Sequence, residues 1–191
     1  MTNEGDKLLD LLQRGDERAF RFLVAQFQDR IFSYIFRSIG HRDDARDLCQ
    51  DVFVSVARAI GRFRGDASLS TWIYQIATNK IRNHVTRAKD RYHLDVDEFE
   101  ANLASGAPNP EQVATGEALR GVLQEELAAM PAELRVLIVL RDIEGHDYAE
   151  IGRIVEAPTG TVKSRLHRAR ADFKQRMDKR WTSTTDGDRE T

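Results

Sequence analysis

The chain has 191 residues, 41% hydrophobic and 31% charged, and its 29 basic and 31 acidic side chains give a net charge of −2. This composition indicates a globular protein of one or two domains and argues against collagen-like, amyloid-like and largely disordered chains, while the single cysteine, Cys49, excludes an intrachain disulfide scaffold. The longest apolar run has five residues, against the roughly 20 of a membrane span, and the first residues are acidic and polar, so we expect a cytoplasmic protein without membrane insertion.

Apolar residues at helical spacing dominate the first half of the chain. A short helix begins at about Asp6 and stops at Gly15, and Asp16 is suited to cap a second helix that ends at Gly40. Asp43 and Asp44 occupy the positions of an N-cap and first turn for a third helix. The predicted helices of this half therefore span about 6–14, 17–38, 44–60 and 71–91.

A change in amino-acid composition separates this half of the chain from the rest. Residues 92–110 combine acids with Gly106, Pro108 and Pro110, which is typical of a linker. Helical spacing resumes after Glu111, is interrupted at Pro131, and continues until a polar tail over 182–191 that we expect to be disordered. The prediction is an all-α protein in which two small helical domains, 1–91 and 111–181, are joined by a flexible linker.

The near-neutral total charge conceals an uneven distribution. Residues 80–91 carry a net charge of +4 and residues 161–180 carry +6, whereas residues 92–134 contain nine acids and one base. One basic segment is usually a solvated helix face, but two in a neutral chain favour contact with nucleic acid.

The second basic segment lies in a predicted helix-turn-helix. A short amphipathic helix from Tyr148 to Val155 precedes a turn containing Pro158 and Gly160, and Ala149 and Gly152 are small enough for a close helix crossing. The next helix has a buried stripe of Val162, Leu166, Ala169, Phe173 and Met177. Such a helix can enter the major groove of DNA, although the same pattern also fits a plain bundle with a basic outer face. The residues that point away from the stripe, as base or phosphate contacts, are Lys163, Ser164, Arg165, His167, Arg168 and Arg170.

Two segments of the first domain carry further binding patterns. One face of the third helix presents Asp47, Gln50, Asp51, Val54 and Arg58, which is either a docking surface for a basic partner or an ordinary solvated face. The segment from 63 to 83 mixes aromatic, amide and basic side chains, a combination that can stack on unpaired bases and hold their phosphates. For the aromatic residues of this segment, burial in the core is the alternative.

Four segments together resemble a known family. They read DARDLCQDVFVSVARAI, FRGDASLSTWIYQIATNKIRN, MPAELRVLIVLRDIEGHDYAEIG and APTGTVKSRLHRAR. In this order and spacing they resemble the bacterial RNA polymerase sigma factors of the extracytoplasmic-function (ECF) branch, which have only sigma regions 2 and 4. The resemblance covers about 16–91 and 111–178.

The resemblance implies a function for each segment. The third helix would bind the largest subunit of core RNA polymerase, the final helix would read the −35 element, and the acidic linker would thread through the polymerase. The protein would need no cofactor or metal, would act on no small-molecule substrate, and would be controlled by an anti-sigma factor. Contacts to the −10 element are implied for Phe63, Trp72, Tyr74, Asn79, Lys80, Arg82 and Asn83.

Two other classes of protein stay open on sequence alone. A free-standing helix-turn-helix regulator would require a dimer interface, and no heptad pattern supplies one. An enzyme would require a catalytic or metal-binding motif, but the five histidines show no ligand spacing and no phosphate-binding loop is present. The acids at 43–51 could suggest a metal site, although they lack the glycine of a calcium loop.

Overall fold

A computed structural model describes residues 3–92 and 116–187, and the regular structure of both ranges is helical. Apart from Tyr92, the predicted linker lies outside the described residues, as do residues 188–191. None of the helices in the described ranges is both long and apolar enough to cross a bilayer. The helices are α1 Asn3–Gln13, α2 Glu17–Ile39, α3 Arg42–Ala59, α4 Leu69–Tyr92, α5 Gly116–Ala128, α6 Ala132–Ile138, α7 Tyr148–Val155 and α8 Thr159–Gly187.

The ends of α2 and α3 follow local chemistry. The Asp16 carboxylate accepts hydrogen bonds from the backbone N–H groups of Arg18 and Ala19 at 2.8 Å, which satisfies donors that the first turn leaves unpaired. Gly40 ends α2 in the left-handed region at φ 82°, as the sequence predicts. The cap of α3 is His41 and not Asp43 or Asp44, because the His41 Nδ1 atom accepts from the Asp44 N–H at 3.4 Å.

The N-terminal domain is a bundle in which α2, α3 and α4 pack together, with α1 against α2. Its core is the apolar face of each helix, and this burial is the main source of its stability. The predicted buried side of α3 is confirmed at Val52, Phe53 and Val56, while Leu48 is half-buried. The largest fully buried side chains of this domain are Leu23, Ile31, Tyr34, Ile35, Ile73, Tyr74 and Ile81.

The C-terminal domain packs α6, α7 and α8 around Leu140, Ile151, Ile154 and Leu166. A π-helical turn over Val139–Ile143 extends α6, and Gly145 then reverses the chain at φ 79°. A capping box begins α7, since Asp147 and Glu150 each bond the other's backbone N–H. The last helix continues to Gly187, so the prediction of a disordered tail from residue 182 is wrong for 182–187, where no proline interrupts the helix.

The two domains pack directly against each other, a feature that the sequence does not predict. Arg135 on α6 is 7% exposed and donates to the backbone carbonyl of Ser38 at 2.7 Å, near the end of α2. It also donates to the carbonyls of Ala128 and Met130 at 2.6 and 2.7 Å, at the end of α5. One guanidinium group therefore binds the carboxyl ends of two helices from different domains.

Candidate functional site

A helix-turn-helix is formed by α7 and α8, joined by a turn of three residues. Glu156 ends α7 at φ 57° and ψ 48°, a left-handed conformation that non-glycine residues rarely adopt, and its N–H bonds the carbonyl of Gly152. The N–H of Ala157 bonds the same carbonyl at 2.9 Å. Gly152 is buried because the turn folds onto α7, while the exposed Ala149 lies outside any close helix crossing, so that part of the prediction is wrong.

Glycine is required at position 152 by space. A Cβ atom added there would lie 2.8 Å from the Ala157 carbonyl oxygen, closer than real Cβ contacts allow. We expect Gly152→Ala to destabilise the protein by about 1–3 kcal/mol, since the rigid backbone of the turn must move. Gly121→Ala, inside α5 with open space around its Cβ, should instead stabilise by about 0.5–1 kcal/mol. Urea unfolding followed by circular dichroism would compare the two, and equal shifts would contradict this reading of the turn.

The outer face of α8 is exposed, as predicted. Val162, Leu166 and Ala169 are buried and Phe173 and Met177 half-buried, so the predicted buried stripe is confirmed. The opposite side presents to solvent a row of donors at the start of the helix, where a helix-turn-helix contacts base edges. The exposed side chains are Lys163, Ser164, Arg165, His167, Arg168 and Arg170.

Two of these cations have partners within the protein. Arg170 forms a two-point ion pair with Asp142 of the π-helical turn, one of its bonds being 3.0 Å from Nε to Oδ2. This bond raises the pKa of the Arg170 guanidinium and fixes α8 relative to α6. The Lys163 Nζ atom lies 5.6 Å from the centre of the Tyr148 ring, and the guanidinium of Arg141 lies 4.8 Å from it. Lys163 thereby connects the first turn of α8 to Tyr148 at the start of α7.

The predicted docking face of α3 is solvent-exposed. The exposed residues are Asp47, Gln50, Asp51, Val54 and Arg58, and Val54 is 46% exposed. A groove of about 760 Å³ runs between this helix and α2.

Cys49 lies at the inner side of this groove. Burial raises the pKa of its thiol to about 11, with the Asp29 charge adding to the effect, so the group stays protonated near neutral pH.

The segment predicted to contact single-stranded DNA divides into exposed and covered residues. The Phe63 ring packs on Trp72 with ring centres 5.0 Å apart, and Gln13 donates to the Phe63 carbonyl at 2.8 Å, which holds the loop against α1. Both aromatic residues are half-buried, as are Asn79 and Lys80. Arg82 and Asn83 are exposed.

Tyr74 lies in the domain interface and not on the surface. It is 0% exposed, its ring contacts Tyr34 and His146, and its hydroxyl donates to Glu144 at 2.5 Å. In this arrangement Tyr74 cannot touch DNA. The predicted contact of Tyr74 with the −10 element is therefore blocked while the two domains are packed together. Burial and the Glu144 carboxylate raise the pKa of its hydroxyl. Sequence reasoning missed Glu144, whose partners are 70 and more residues away.

The side chains do not form a metal centre within the part of the chain described here, where no cluster of three or more His, Cys, Asp or Glu residues could hold an ion. The acids at 43–51 instead serve other purposes: Asp43 pairs with Arg46 at 2.9 Å, Asp44 lies 3.5 Å from His84, and Asp51 lies 3.8 Å from Lys80. These contacts join the turns of α3 and connect that helix to α4.

Comparison with known proteins decides the family. The model of sigma-70 region 2 matches residues 23–91, and that of sigma-70 region 4 matches residues 120–173. The chain belongs to the sigma-70 family. Members of this family are transcription initiation factors and not enzymes.

Curated relatives place the chain in the ECF branch of that family. The RNA polymerase sigma-H factor of Pseudomonas aeruginosa is 35% identical over 178 residues, which cover 89% of this chain and 92% of the relative. The ECF RNA polymerase sigma-E factor of Escherichia coli K12 is 37% identical over 170 residues, covering 85% and 88% respectively. The resemblance found in the sequence is therefore confirmed, as is the all-α architecture with two helical domains.

Solved structures share the fold. CnrH, in a complex with the cytosolic domain of CnrY, superposes with a TM-score of 0.65 at 26% identity over 91% of this chain and 97% of CnrH. The sigma factor RpoE of Bartonella quintana, in a complex with the anti-sigma factor NepR, gives a TM-score of 0.64 at 21% identity, covering 83% and 96%. The second likeness is one of fold alone.

Proposed function

We propose that the protein binds core RNA polymerase in the cytoplasm and directs it to a specific class of promoters. The observation that carries this proposal is membership of the ECF branch across both domains, with an exposed basic face on the helix that corresponds to the reader of region 4. The polymerase would supply catalysis, and this chain would supply sequence recognition and strand opening.

The −35 element would be read by the first two turns of α8. Lys163, Ser164, Arg165, His167 and Arg168 are exposed there and can donate to base edges or phosphates in the major groove. Arg170 is occupied by Asp142, so we assign it first to orienting the helix and only then to a phosphate contact.

The −10 element would be opened and held by the N-terminal domain. A flipped base can stack near Phe63, and amide and cationic donors follow further along α4 at Asn79, Lys80, Arg82 and Asn83. Trp72 would support the Phe63 ring. Tyr74 could take part only after the domain interface opens.

Core polymerase would dock on α3. Its outer residues Asp47, Gln50, Asp51, Val54 and Arg58 form a mixed acidic and apolar surface that suits a basic helical partner. Two weak DNA contacts gain avidity once docking fixes the separation of the domains. Control by an anti-sigma factor is also proposed, because the sigma factor RpoE of Bartonella quintana, which shares this fold, was solved in a complex with the anti-sigma factor NepR.

Transcription in vitro tests this function. Purified core polymerase, genomic fragments of the source organism as templates and the full-length protein should together yield discrete start sites that core polymerase alone does not produce. Transcripts with no preferred start, or none that depend on the added protein, would refute the proposal. A regulator that acts without polymerase would instead bind promoter fragments tightly by itself.

A further inference from the structure

One cation on the exposed face of α8 is held by an acid from another element. The Arg170 guanidinium donates from Nε to Oδ2 of Asp142 at 3.0 Å and from Nη2 to Oδ1, so both carboxylate oxygens are engaged. Asp142 lies in the π-helical turn that extends α6, 28 residues earlier in the chain. The pair therefore joins the helix proposed to read the −35 element to the element that supports it.

The geometry of this pair distinguishes it from an ordinary surface ion pair. The Asp142 and Arg170 side chains are 35% and 49% exposed, and a single-point pair at that exposure contributes little to stability. Two parallel bonds between a planar guanidinium and a planar carboxylate instead fix the orientation of both groups. The pair therefore constrains direction, which matters more for a reading helix than the free energy that it contributes.

The apolar side of α8 constrains its rotation less sharply. Val162, Leu166 and Ala169 are buried, but contacts between apolar side chains are non-directional. A rotation of α8 by about 10° about its axis would move a side-chain end at a radius of about 6 Å by about 1 Å. Because a binding site requires positions held to about 0.5 Å, a directional contact is needed in addition to the apolar stripe.

A second polar contact lies two turns earlier on the same side of α8. Lys163 precedes Arg170 by seven residues, and its Nζ atom lies 5.6 Å from the centre of the Tyr148 ring at the start of α7. The exposed Arg165 and Arg168 lie between these two contacts along the helix. The segment that carries them is thus held at both of its ends.

We propose that Asp142 is a positioning residue for −35 recognition, which sets, through Arg170, the rotation of α8 at which Arg165 and Arg168 meet the bases. The proposal rests on the proposed function, because it concerns side chains assigned there to the −35 element. Removing an acid that is merely near a DNA-binding face strengthens binding to all sequences, since it reduces repulsion of the phosphates. Removing a positioning acid weakens discrimination between sequences instead.

The test compares Asp142→Asn with Asp172→Asn in the full-length protein bound to core polymerase. Both changes remove one negative charge beside an arginine of α8, but Asp172 pairs with Arg176 of the same helix at 2.9 Å, a contact that cannot orient α8 on another element. Transcription is measured from a promoter that the wild-type protein selects and from a copy with its −35 sequence replaced.

The ratio of the two transcripts should fall by about 3-fold to 10-fold in Asp142→Asn, because misplaced base contacts discriminate less. It should stay near the wild-type ratio in Asp172→Asn. A general loss of folded protein would lower both transcripts and leave the ratio unchanged. A wild-type ratio in Asp142→Asn, or the same fall in both variants, would overturn the proposal.

A double variant tests whether Asp142 acts through Arg170. Arg170→Gln alone should lower the ratio, and adding Asp142→Asn should lower it no further, because the acid then has no guanidinium to orient. Losses that multiply would show that Asp142 does not act through Arg170, and would overturn the proposal in that form.

A measurement without DNA reports the position of α8 itself. Nitroxide labels at Arg153→Cys on α7 and Gln175→Cys on α8, both exposed positions, in a Cys49→Ser background give the distribution of distances between the two helices by pulsed electron resonance. The distribution should shift or broaden when Asp142→Asn is added and stay unchanged when Asp172→Asn is added.

An unchanged distance distribution with Asp142→Asn would overturn the positioning role. Failure of the proposed function is a separate result. If the wild-type protein supports no promoter-specific transcription, the assignment to the −35 element fails, while the labels still decide whether Asp142 positions α8.

Discussion

Replacing Arg135 with methionine should lower the free energy of unfolding by about 3 kcal/mol or more, among the largest single-residue effects expected in this chain. Methionine keeps the aliphatic length of the side chain but removes donors to the carbonyls of Ser38, Ala128 and Met130. Each buried acceptor left without a partner costs about 1–3 kcal/mol. The loss is large because a single planar group satisfies three acceptors at once.

The position of Arg135 also uses its charge. Its acceptors lie at the carboxyl ends of α2 and α5, where the helix dipole gives carbonyl oxygens a partial negative charge. Burial, with a smaller effect from the nearby Arg176 charge, lowers the pKa of Arg135 to about 10, so the guanidinium stays charged at neutral pH. The methionine variant therefore loses charge-assisted bonds and not merely neutral ones.

Urea unfolding of the full-length protein measures this effect. The matched control is Arg46→Met. Arg46 is exposed, and the ion pair that it forms in the described part of the chain is with Asp43, which is also exposed. Such surface pairs contribute about 0–1 kcal/mol, so the control should change stability by less than about 1 kcal/mol. Equal losses for the two variants would show that the three carbonyl bonds contribute little.

The sequence predicts local structure well where the cause is local. Asp16 begins α2 and Gly40 ends it through their own side-chain and backbone chemistry, which does not depend on distant residues. The buried stripe of α8 likewise follows from helical periodicity, because its members recur every three or four residues along one side of the helix. The exposure of Arg165 and Arg168 on its other side follows from the same periodicity.

Features that depend on tertiary packing are the ones that the sequence does not predict. Tyr74 is polar and aromatic and lies among predicted DNA contacts, yet its hydroxyl partner, Glu144, is 70 residues away. No periodicity in α4 distinguishes a face covered by the second domain from one open to solvent. His41 caps α3 in place of the expected aspartates. Which residue becomes the cap depends on the backbone conformation just before the helix, and the amino-acid composition does not determine that conformation.

Arg168→Ala and Asp47→Ala should impair two different steps of initiation. Arg168 is exposed on the face of α8 that we propose reads the −35 element, and loss of its proposed base contact should reduce promoter-specific transcription by about 10-fold to 100-fold. Asp47 is exposed on α3, and its loss should weaken binding to core polymerase without changing which promoters are used. Arg165→Ala should likewise impair promoter recognition, and Asp51→Ala should likewise weaken core binding. Asp51 also contacts Lys80, so its replacement changes a second interaction, and Asp47 is the better test.

Matched controls separate these effects from general changes of charge. Arg153→Ala removes an exposed cation from α7, outside the reading face, and Asp43→Ala removes an exposed acid from the first turn of α3. Core binding is measured by competition with a labelled sigma factor, and promoter recognition by transcription from templates with and without −35 substitutions. The decisive property of Arg168→Ala is a smaller difference between the two templates, since a lost base contact no longer distinguishes them.

The two-domain division of labour fails if both variants impair the same step. If Arg168→Ala weakened core binding as strongly as Asp47→Ala, the basic face of α8 would be a protein interface, because a base contact cannot affect a measurement made without DNA. If Asp47→Ala instead changed the template preference at saturating polymerase, α3 would contribute to promoter reading. Docking belongs to the first domain and −35 recognition to the second if two results are found together. Asp47→Ala must weaken core binding with an unchanged template preference, and Arg168→Ala must reduce the template difference with intact core binding.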